Sequence, residues 1–163
     1  MIKNDVSQVY GTYARAIDEK RYDLLSQVFH PEAKLEYIVG GFNFSCLGNE
    51  SAGKFKEFLD LCFWTNHLIG SPSCEQNGKM IFATARVQAV HQQRTVSGKI
   101  SRWLIRGSYH DHFQFFEDKW LITNRYCHTP DEEGSFLTEN VESFQEQAWA
   151  PSQKLLLNSS YEI

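Results

Sequence analysis

The sequence has no long apolar run, little glycine or proline, and no strong excess of charge. No stretch approaches the roughly 18 apolar residues that a membrane-spanning helix needs, so we expect no membrane partner. Ten glycines and four prolines in 163 residues exclude a linker-like or low-complexity chain. A formal net charge of −4 disfavours a surface for nucleic acid or for an anionic membrane, so neither is an expected partner.

Cysteine is also sparse. The four cysteines, Cys46, Cys62, Cys74 and Cys127, are scattered and form no C-x-x-C pair. Residues 1–20 are polar with a helical pattern and carry no apolar signal segment. We therefore expect a cytoplasmic protein whose cysteines are reduced and contribute to packing.

The chain is long enough for one domain with a core, and it is rich in aromatic residues: 12 Phe, 7 Tyr and 4 Trp. Apolar residues at helical spacing predict a first helix over residues 3–18 and a third helix from Ser51. Between them, Tyr22, Leu25, Val28 and Phe29 predict a short second helix that Pro31 ends.

Alternating apolar residues and turn signals predict strands over most of the remaining chain. The predicted strands cover residues 33–39, 42–47, 65–75, 79–94, 100–116 and 119–125. Early helices followed by a long antiparallel meander predict an α+β domain. Strands of about 16 residues are longer than usual and must bend. A bent sheet closed by helices forms a cone with an apolar pocket.

The end of the chain is less regular. We divide the sequence into a domain over residues 1–125 and a C-terminal extension over residues 126–163. Four apolar residues at helical spacing predict one more short helix in the extension: Leu137, Val141, Phe144 and Ala148. Three aromatic residues could make the extension a lid over the pocket: Phe136, Phe144 and Trp149. The alternative is a partly ordered terminus.

Strand parity sorts the polar residues into those inside and those outside the cone. On strand 79–94, His91 shares a face with several small apolar residues and is predicted to point inward. On strand 100–116, Tyr109, Asp111 and Phe113 share the inward face with other aromatic residues. A carboxylate such as Asp111 is costly there unless it has a partner or a function.

Asp18, His67, Tyr13 and Tyr37 are further candidates for chemistry. Asp18 lies where the first helix ends, a place where the helix dipole favours cations, so it either faces an imidazole or caps the second helix. His67 begins a strand after the third helix and is either catalytic or a hydrogen-bonded structural residue. Tyr13 and Tyr37 lie on inward stripes, where a buried hydroxyl needs a hydrogen-bond partner.

His110 and His112 share one face of a strand, which invites a metal interpretation. By parity this face is opposite the pocket, and no third ligand lies at a suitable spacing. A surface or subunit-interface pair is the favoured interpretation, and we expect no metal site.

The order of elements and four stretches of sequence resemble the NTF2-like superfamily, in particular its SnoaL-like and scytalone dehydratase-like enzymes. The stretches are Y-A-R-A-I-D-E-K-R-Y-D-L-L (13–25), F-H-P-E-A-K-L-E-Y (29–37), T-N-H-L-I-G (65–70) and V-H-Q-Q-R (90–94). They lie within residues 5–125, about three quarters of the chain. The resemblance implies an NTF2-like cone, with three N-terminal helices packed on a strongly curved, mainly antiparallel sheet.

The resemblance also implies an active site. In scytalone dehydratase an Asp and a His form an acid–base pair that falls on Asp18 and His67. A second active-site His falls on His91, and a tyrosine that helps to hold a carbonyl-polarising water falls on Tyr37. The other tyrosine of that water site is Ile17 here.

Two polar residues of the penultimate strand in scytalone dehydratase correspond to Asp111 and Phe113 in this chain. The bile-acid dehydratases of the superfamily pair a Tyr and an Asp five residues apart with a His, as do Tyr13, Asp18 and His67 here. Both relatives eliminate water from a hydroxylated ring without a metal or an organic cofactor, so none is expected.

The resemblance thus implies a cofactor-independent dehydratase, a lyase that acts on an apolar, hydroxylated cyclic ketone such as a polyketide or a steroid-like ring. The predicted catalytic residues are His67, Asp18, His91 and Tyr37. The predicted substrate-binding residues are Tyr13, Tyr109, Asp111 and Phe113. The alternatives are a ketosteroid isomerase-like isomerase, a non-catalytic binding or interaction module, and a small subunit of a ring-hydroxylating oxygenase. The resemblance also implies a homodimer or a homotrimer.

Overall fold

Helices occupy the first part of the chain and strands most of the rest. The structure, a computed structural model, describes residues 2–146. Helix α1 spans Ile2–Asp18, a 3₁₀ helix spans Tyr22–Gln27, and helix α2 spans Ser51–Leu59 after a single 3₁₀ turn at Gly48–Glu50. The expected group of three helices is therefore confirmed, with the second one wound as a 3₁₀ helix.

Seven strands form one curved sheet. They are β1 (Phe29–Val39), β2 (Phe42–Leu47), β3 (Trp64–Ile69), β4 (Ser73–Asn77), β5 (Met80–Arg94), β6 (Ile100–Phe116) and β7 (Lys119–Gly134). The order is β2-β1-β7-β6-β5-β3, and β4 also pairs with β5. The β1–β7 pair is parallel and the other pairs are antiparallel. This arrangement confirms the predicted α+β fold with a mainly antiparallel sheet.

Helix α1 packs across the concave face of the sheet because its apolar residues repeat every three or four positions. Val6, Tyr10, Tyr13 and Ile17 form one stripe and are each at most 2% exposed. Asp18 is the last residue of the helix. The stripe therefore fixes which face of α1 meets the sheet. The helix in turn fixes the position of Asp18 at its end.

The predicted end of the second helix is wrong. Phe29 and Pro31 lie in β1 rather than in or after a helix, and the 3₁₀ helix ends at Gln27. The Phe29 backbone pairs with Ile122 of β7, which draws this part of the chain into the sheet. The pairing is irregular between Phe29 and Lys34, and such a break suits Pro31 because proline has no N–H to donate to a ladder.

Two other segments differ from prediction. The strand predicted over residues 65–75 is divided into β3 and β4, with Pro72 in the gap between them. Strand β7 does not end at Arg125 but continues to Gly134, because its second half keeps pairing with β6 as far as Trp103. The sheet therefore extends beyond the boundary that we placed after residue 125.

The short helix predicted in the extension is also wrong as far as residue 146. Leu137, Val141 and Phe144 lie in extended or irregular backbone, and Ala148 is outside the described residues. The backbone there bonds to other segments rather than to itself: the N–H of Glu142 donates to the Arg94 carbonyl at 2.8 Å.

The predicted strand parity is confirmed on both long strands. His91 on β5 and Asp111 on β6 are buried, at 4% and 1% exposure, among apolar neighbours. Phe115 is an exception on the β6 face, at 51% exposure, beyond a register shift near Phe113. Among residues 2–146, we find no helix with the length and apolarity needed to cross a membrane.

Candidate active site

An apolar cavity lies between the helices and the concave face of the sheet. The volume of this cavity is about 70 Å³. Its walls are Tyr13, Ile17, Tyr37, Val39, Phe44, Phe55, Phe58, Leu59, His67, His91, Trp103, Ile105, Tyr109, Cys127 and Phe136. None of these lining residues is an aspartate, a glutamate, a lysine or an arginine. The cavity therefore suits an uncharged, largely apolar ligand.

Asp18 and His67 meet beside this cavity. The end of α1 and the middle of β3 bring the Asp18 Oδ1 within 2.7 Å of the His67 ring nitrogen Nδ1. The backbone N–H of His67 donates to Asp18 Oδ2 at 2.7 Å, and the Thr65 hydroxyl donates to Oδ1 at 3.0 Å. The alternative in which Asp18 caps the second helix is wrong, because Arg21 holds that position without a side-chain bond.

These bonds determine the protonation of the pair. Burial acts to raise the pKa of Asp18, but the charge and hydrogen bonds of His67, together with the Thr65 hydroxyl, hold it below its usual value. An ionised carboxylate can only accept hydrogen bonds, so the proton of a neutral His67 ring lies on Nδ1. Its other nitrogen, Nε2, then carries a lone pair, as a general base requires.

His91 is the second imidazole on the cavity wall. Its ring lies edge to face with His67, with 5.4 Å between the ring centroids. Burial, helped by the nearby His67, lowers the pKa of His91 to about 3, so this ring is neutral at physiological pH. Its Nδ1 atom is buried and has no hydrogen-bond partner within residues 2–146. A polar ligand atom could supply that partner.

Three tyrosines line the cavity, as predicted for Tyr13, Tyr37 and Tyr109. The Tyr13 and Tyr37 hydroxyls lie 3.2 Å apart. Burial raises the pKa of all three phenols, which are therefore neutral and able to donate hydrogen bonds. Tyr13 also packs edge to face with His67, at 6.4 Å between centroids.

Arg125 is a residue of this region that the sequence analysis missed. It is fully buried and forms two hydrogen bonds with Asp111: Nε donates to Oδ1 at 2.9 Å and Nη2 to Oδ2 at 2.6 Å. Its guanidinium carbon lies 4.3 Å and 4.1 Å from the ring centroids of Tyr13 and Tyr109, and Nη1 donates to the Tyr37 hydroxyl at 3.4 Å. Burial opposes this charge, but the Asp111 carboxylate outweighs it and holds the pKa of Arg125 well above its usual value.

A signal for Arg125 was present in the sequence. A buried Asp111 needs a partner, and Arg125 is its neighbour on the adjacent strand in the β6–β7 register. Asp111 and Phe113, which we predicted to bind substrate, do not line the cavity. The Asp111 carboxylate is paired with Arg125, and Phe113 packs against Tyr10 with 5.9 Å between ring centroids. Neither is positioned for direct contact with a ligand there.

The remaining predictions concern the outer face and the extension. His110 and His112 are exposed, as predicted from parity. Within the described part of the chain, no three His, Cys, Asp or Glu side chains form a group that could hold a metal. In the extension, Phe136 lines the cavity, whereas Phe144 packs on Phe63 instead. Trp149 lies outside the described residues.

Comparisons with known proteins agree with the fold. A putative scytalone dehydratase from Novosphingobium aromaticivorans superposes with a TM-score of 0.69 at 12% identity, over 82% of this chain and 87% of that one. A type 2 hexachlorocyclohexane dehydrochlorinase (LinA) gives 0.68 at 12% identity, over 81% and 87%. An NTF2-like superfamily protein from Salmonella enterica gives 0.66 at 15% identity, over 80% and 92%.

No curated protein sequence matches this chain. The predicted homodimer or homotrimer and the cytoplasmic location stay predictions, because one chain alone tests neither. The SnoaL-like domain family matches residues 2–126, which is most of the chain. This match shows that the protein belongs to the SnoaL-like domain family, and the superposed structures show that it has the NTF2-like fold.

Proposed function

We propose that the protein is a cofactor-independent dehydratase that acts on an uncharged, hydroxylated cyclic ketone. The observation that carries this proposal is the hydrogen-bonded Asp18–His67 pair on the wall of an apolar cavity. An apolar environment strengthens the electrostatic interactions that a carbanion-like transition state needs. The putative scytalone dehydratase and the dehydrochlorinase with the same fold add support.

In the first step, His67 Nε2 removes a proton from the carbon next to the substrate carbonyl. The electrons of that C–H bond move into an enolate, and the imidazole becomes an imidazolium. Asp18 keeps the ring in the required tautomer and stabilises the positive charge through its 2.7 Å contact with Nδ1. A positioned base of this kind contributes roughly 10²–10⁴-fold in rate.

The Tyr13–Tyr37 pair is suited to hold the enolate oxygen. Arg125 can only donate, so the Tyr37 oxygen accepts its N–H. The two phenols carry two protons, and one of them is used in the bond between the two hydroxyls. The second proton can be donated to a ligand oxygen in place of the Tyr109 hydroxyl, with which Tyr13 also forms a hydrogen bond. The buried positive charge of Arg125 favours negative charge nearby.

In the second step, the enolate expels hydroxide from the β-carbon. The carbon–oxygen bond breaks, its electrons leave with the oxygen, and His67 returns its proton so that water is released. A His91 with a pKa of about 3 has no imidazolium proton to offer, so its role is to bind the leaving oxygen through a hydrogen bond.

The neutral state of His91 also favours a second candidate, elimination of a halide. A leaving halide takes the bonding electrons and needs no proton, so the base alone completes the reaction. The dehydrochlorinase with the same fold is named for this kind of reaction. If nothing leaves, reprotonation of the enolate at another carbon gives the isomerase alternative.

Proton exchange tests the step that all three reactions share. The protein is incubated in D₂O with a β-hydroxytetralone, whose dehydration gives a fluorescent naphthol, and deuterium at the α-carbon is followed by NMR. We expect exchange above the buffer rate and formation of the naphthol. His67→Ala should reduce both by at least about 100-fold, whereas His128→Gln, on the outer face of the sheet, should change neither.

The outcomes separate the alternatives. Exchange without naphthol supports an isomerase, and release of halide from a β-chloroketone without dehydration supports the second candidate. An absence of exchange with every ketone, or an exchange that His67→Ala leaves intact, would refute the acid–base proposal and favour a binding module.

A further inference from the structure

A buried glutamine holds the segment that follows β7. Gln93, on β5, is 1% exposed. Its side-chain Nε2 donates to the Leu137 carbonyl at 2.8 Å, and the Leu137 N–H donates to Gln93 Oε1 at 2.7 Å. The Gln93 side chain therefore supplies the two hydrogen bonds that the backbone of a neighbouring strand would form with Leu137. We call residues 135–140 the flap.

The flap is anchored on both sides. It begins after Gly134, the last residue of β7, and it ends where Val141 forms a bridge with Thr95. Beyond the bridge, the Phe144 N–H donates to the Asp60 carbonyl at 2.6 Å. The two end residues of the flap are also bonded to the framework: the Ser135 carbonyl accepts from the Ser101 hydroxyl at 3.4 Å, and the Asn140 carbonyl accepts from the Val96 N–H at 2.9 Å. The residues between these ends can therefore move without unpairing the sheet.

The flap carries Phe136 to the cavity. The Phe136 ring lies 5.4 Å from Trp103 and 6.3 Å from His91, measured between ring centroids. Phe136 is half-buried, as are Phe44, Phe58 and His67 among the lining residues, so the cavity wall reaches the surface at Phe136. His91, directly behind Phe136, is 4% exposed. The ring therefore shields this imidazole from water.

We propose that Gln93 is a positioning residue that clips Phe136 over the mouth of the cavity, and that apolar ligands enter when the flap lifts from Gln93. A buried amide is costly unless its hydrogen bonds are made, and both Gln93 bonds go to Leu137. When the flap lifts, water replaces these bonds, so each one shifts the closed–open equilibrium only roughly 2- to 12-fold. The two hydrogen bonds between Gln93 and Leu137 are thus strong enough to keep the flap closed and weak enough to let it open.

The test compares Gln93→Met with Gln92→Met. Methionine keeps the length of the side chain, but it cannot donate to the Leu137 carbonyl and accepts only weakly from the Leu137 N–H. Gln92 is the adjacent residue on the opposite face of β5. Two measurements are made: the pKa of the His91 ring by NMR, and the association rate of prodan, an uncharged naphthyl ketone dye, by stopped-flow fluorescence. Neither measurement depends on the proposed reaction.

With Gln93→Met, we expect prodan to associate about tenfold faster or more. The pKa of His91 should rise towards its ordinary value, because water reaches the ring when Phe136 moves away. Gln92→Met should behave like the unchanged protein. Phe136→Ala serves as a second variant, since it removes the ring and keeps both bonds between Gln93 and Leu137. It should also accelerate association and raise the pKa of His91.

The outcomes decide each part of the proposal. Faster association in both variants supports it. If only Phe136→Ala accelerates association, the Phe136 ring is the barrier to entry but Gln93 does not hold it in place. That result would overturn the proposed role of Gln93. If only Gln93→Met does so, Phe136 is not the barrier. Unchanged association in both variants means that ligands enter elsewhere. If Gln93→Met does not fold, Phe136→Ala still tests the entry route, and faster exchange of the Leu137 N–H in Gln93→Ser tests the clip.

Discussion

A buried neutral histidine makes the stability of this protein depend on pH, and replacing His91 tests that dependence. The unfolded chain exposes His91, whose pKa is then about 6.5, whereas burial lowers it to about 3 in the folded protein. Between these values the unfolded chain binds a proton that the folded protein does not. Folding stability from His91 is therefore complete above pH 6.5 and is lost as the pH falls towards 3. His91→Phe keeps a ring of similar size and removes the titration.

The magnitude follows from the two pKa values. Each pH unit between them contributes about 1.4 kcal/mol, so the full window corresponds to about 5 kcal/mol. Between pH 7 and pH 4 the expected loss attributable to His91 is about 3 kcal/mol. Asp18 contributes little in this range, because a carboxylate with a lowered pKa loses its stabilising effect mainly as the pH falls below its ordinary value of 3.8.

The assay is urea unfolding at pH 7, 6, 5 and 4, with the free energy of unfolding of each protein extrapolated to water. The unchanged protein should lose about 3 kcal/mol more than His91→Phe between pH 7 and pH 4. His128→Gln, in which an exposed histidine is replaced, should follow the unchanged protein. Equal losses in the unchanged protein and His91→Phe would refute the reasoning that His91 is buried in a neutral form.

Two further predictions concern the ionic groups near the cavity. Asp18→Asn lets an amide N–H donate to His67 Nδ1, so the ring proton should move to Nε2, which ¹⁵N chemical shifts of the ring report; an unchanged tautomer would contradict the assigned role of Asp18. Arg125→Met leaves the Asp111 carboxylate buried without its partner and should lower the free energy of unfolding by about 3–5 kcal/mol. The double variant Asp111→Leu/Arg125→Met should recover most of that loss in urea unfolding, and no recovery would mean that the charges themselves stabilise the fold.

Periodicity in the sequence was sufficient for the helices and for the faces of the strands. Val6, Tyr10, Tyr13 and Ile17 predict the buried stripe of α1 because helical geometry places residues three or four apart on one side. Alternation on β5 likewise predicts that His91 points inward, because successive side chains in a strand point to opposite faces. These are local properties of the backbone, and neighbouring residues determine them.

Residues near element boundaries were predicted less well. Pro31 and Phe29 fit the end of a helix by local pattern, but pairing with β7 places them in a strand. Leu137 and Phe144 have helical spacing, but their backbone groups bond to Gln93 and Asp60. In both segments, partners that are distant in sequence outweigh the local preference, and periodicity contains no information about such partners.

The candidate site depends on contacts of this distant kind. The sequence by itself determined the residue types and the inward faces, and the resemblance to known enzymes singled out Asp18 and His67. Only the tertiary structure decided that the side chains of these two residues, 49 positions apart in sequence, meet at 2.7 Å. It likewise decided that Arg125 forms the ion pair with Asp111. Curvature of the sheet and the crossing of α1 over it fix those distances. Such geometry arises from the packing of the whole core, so no single segment of the chain specifies it.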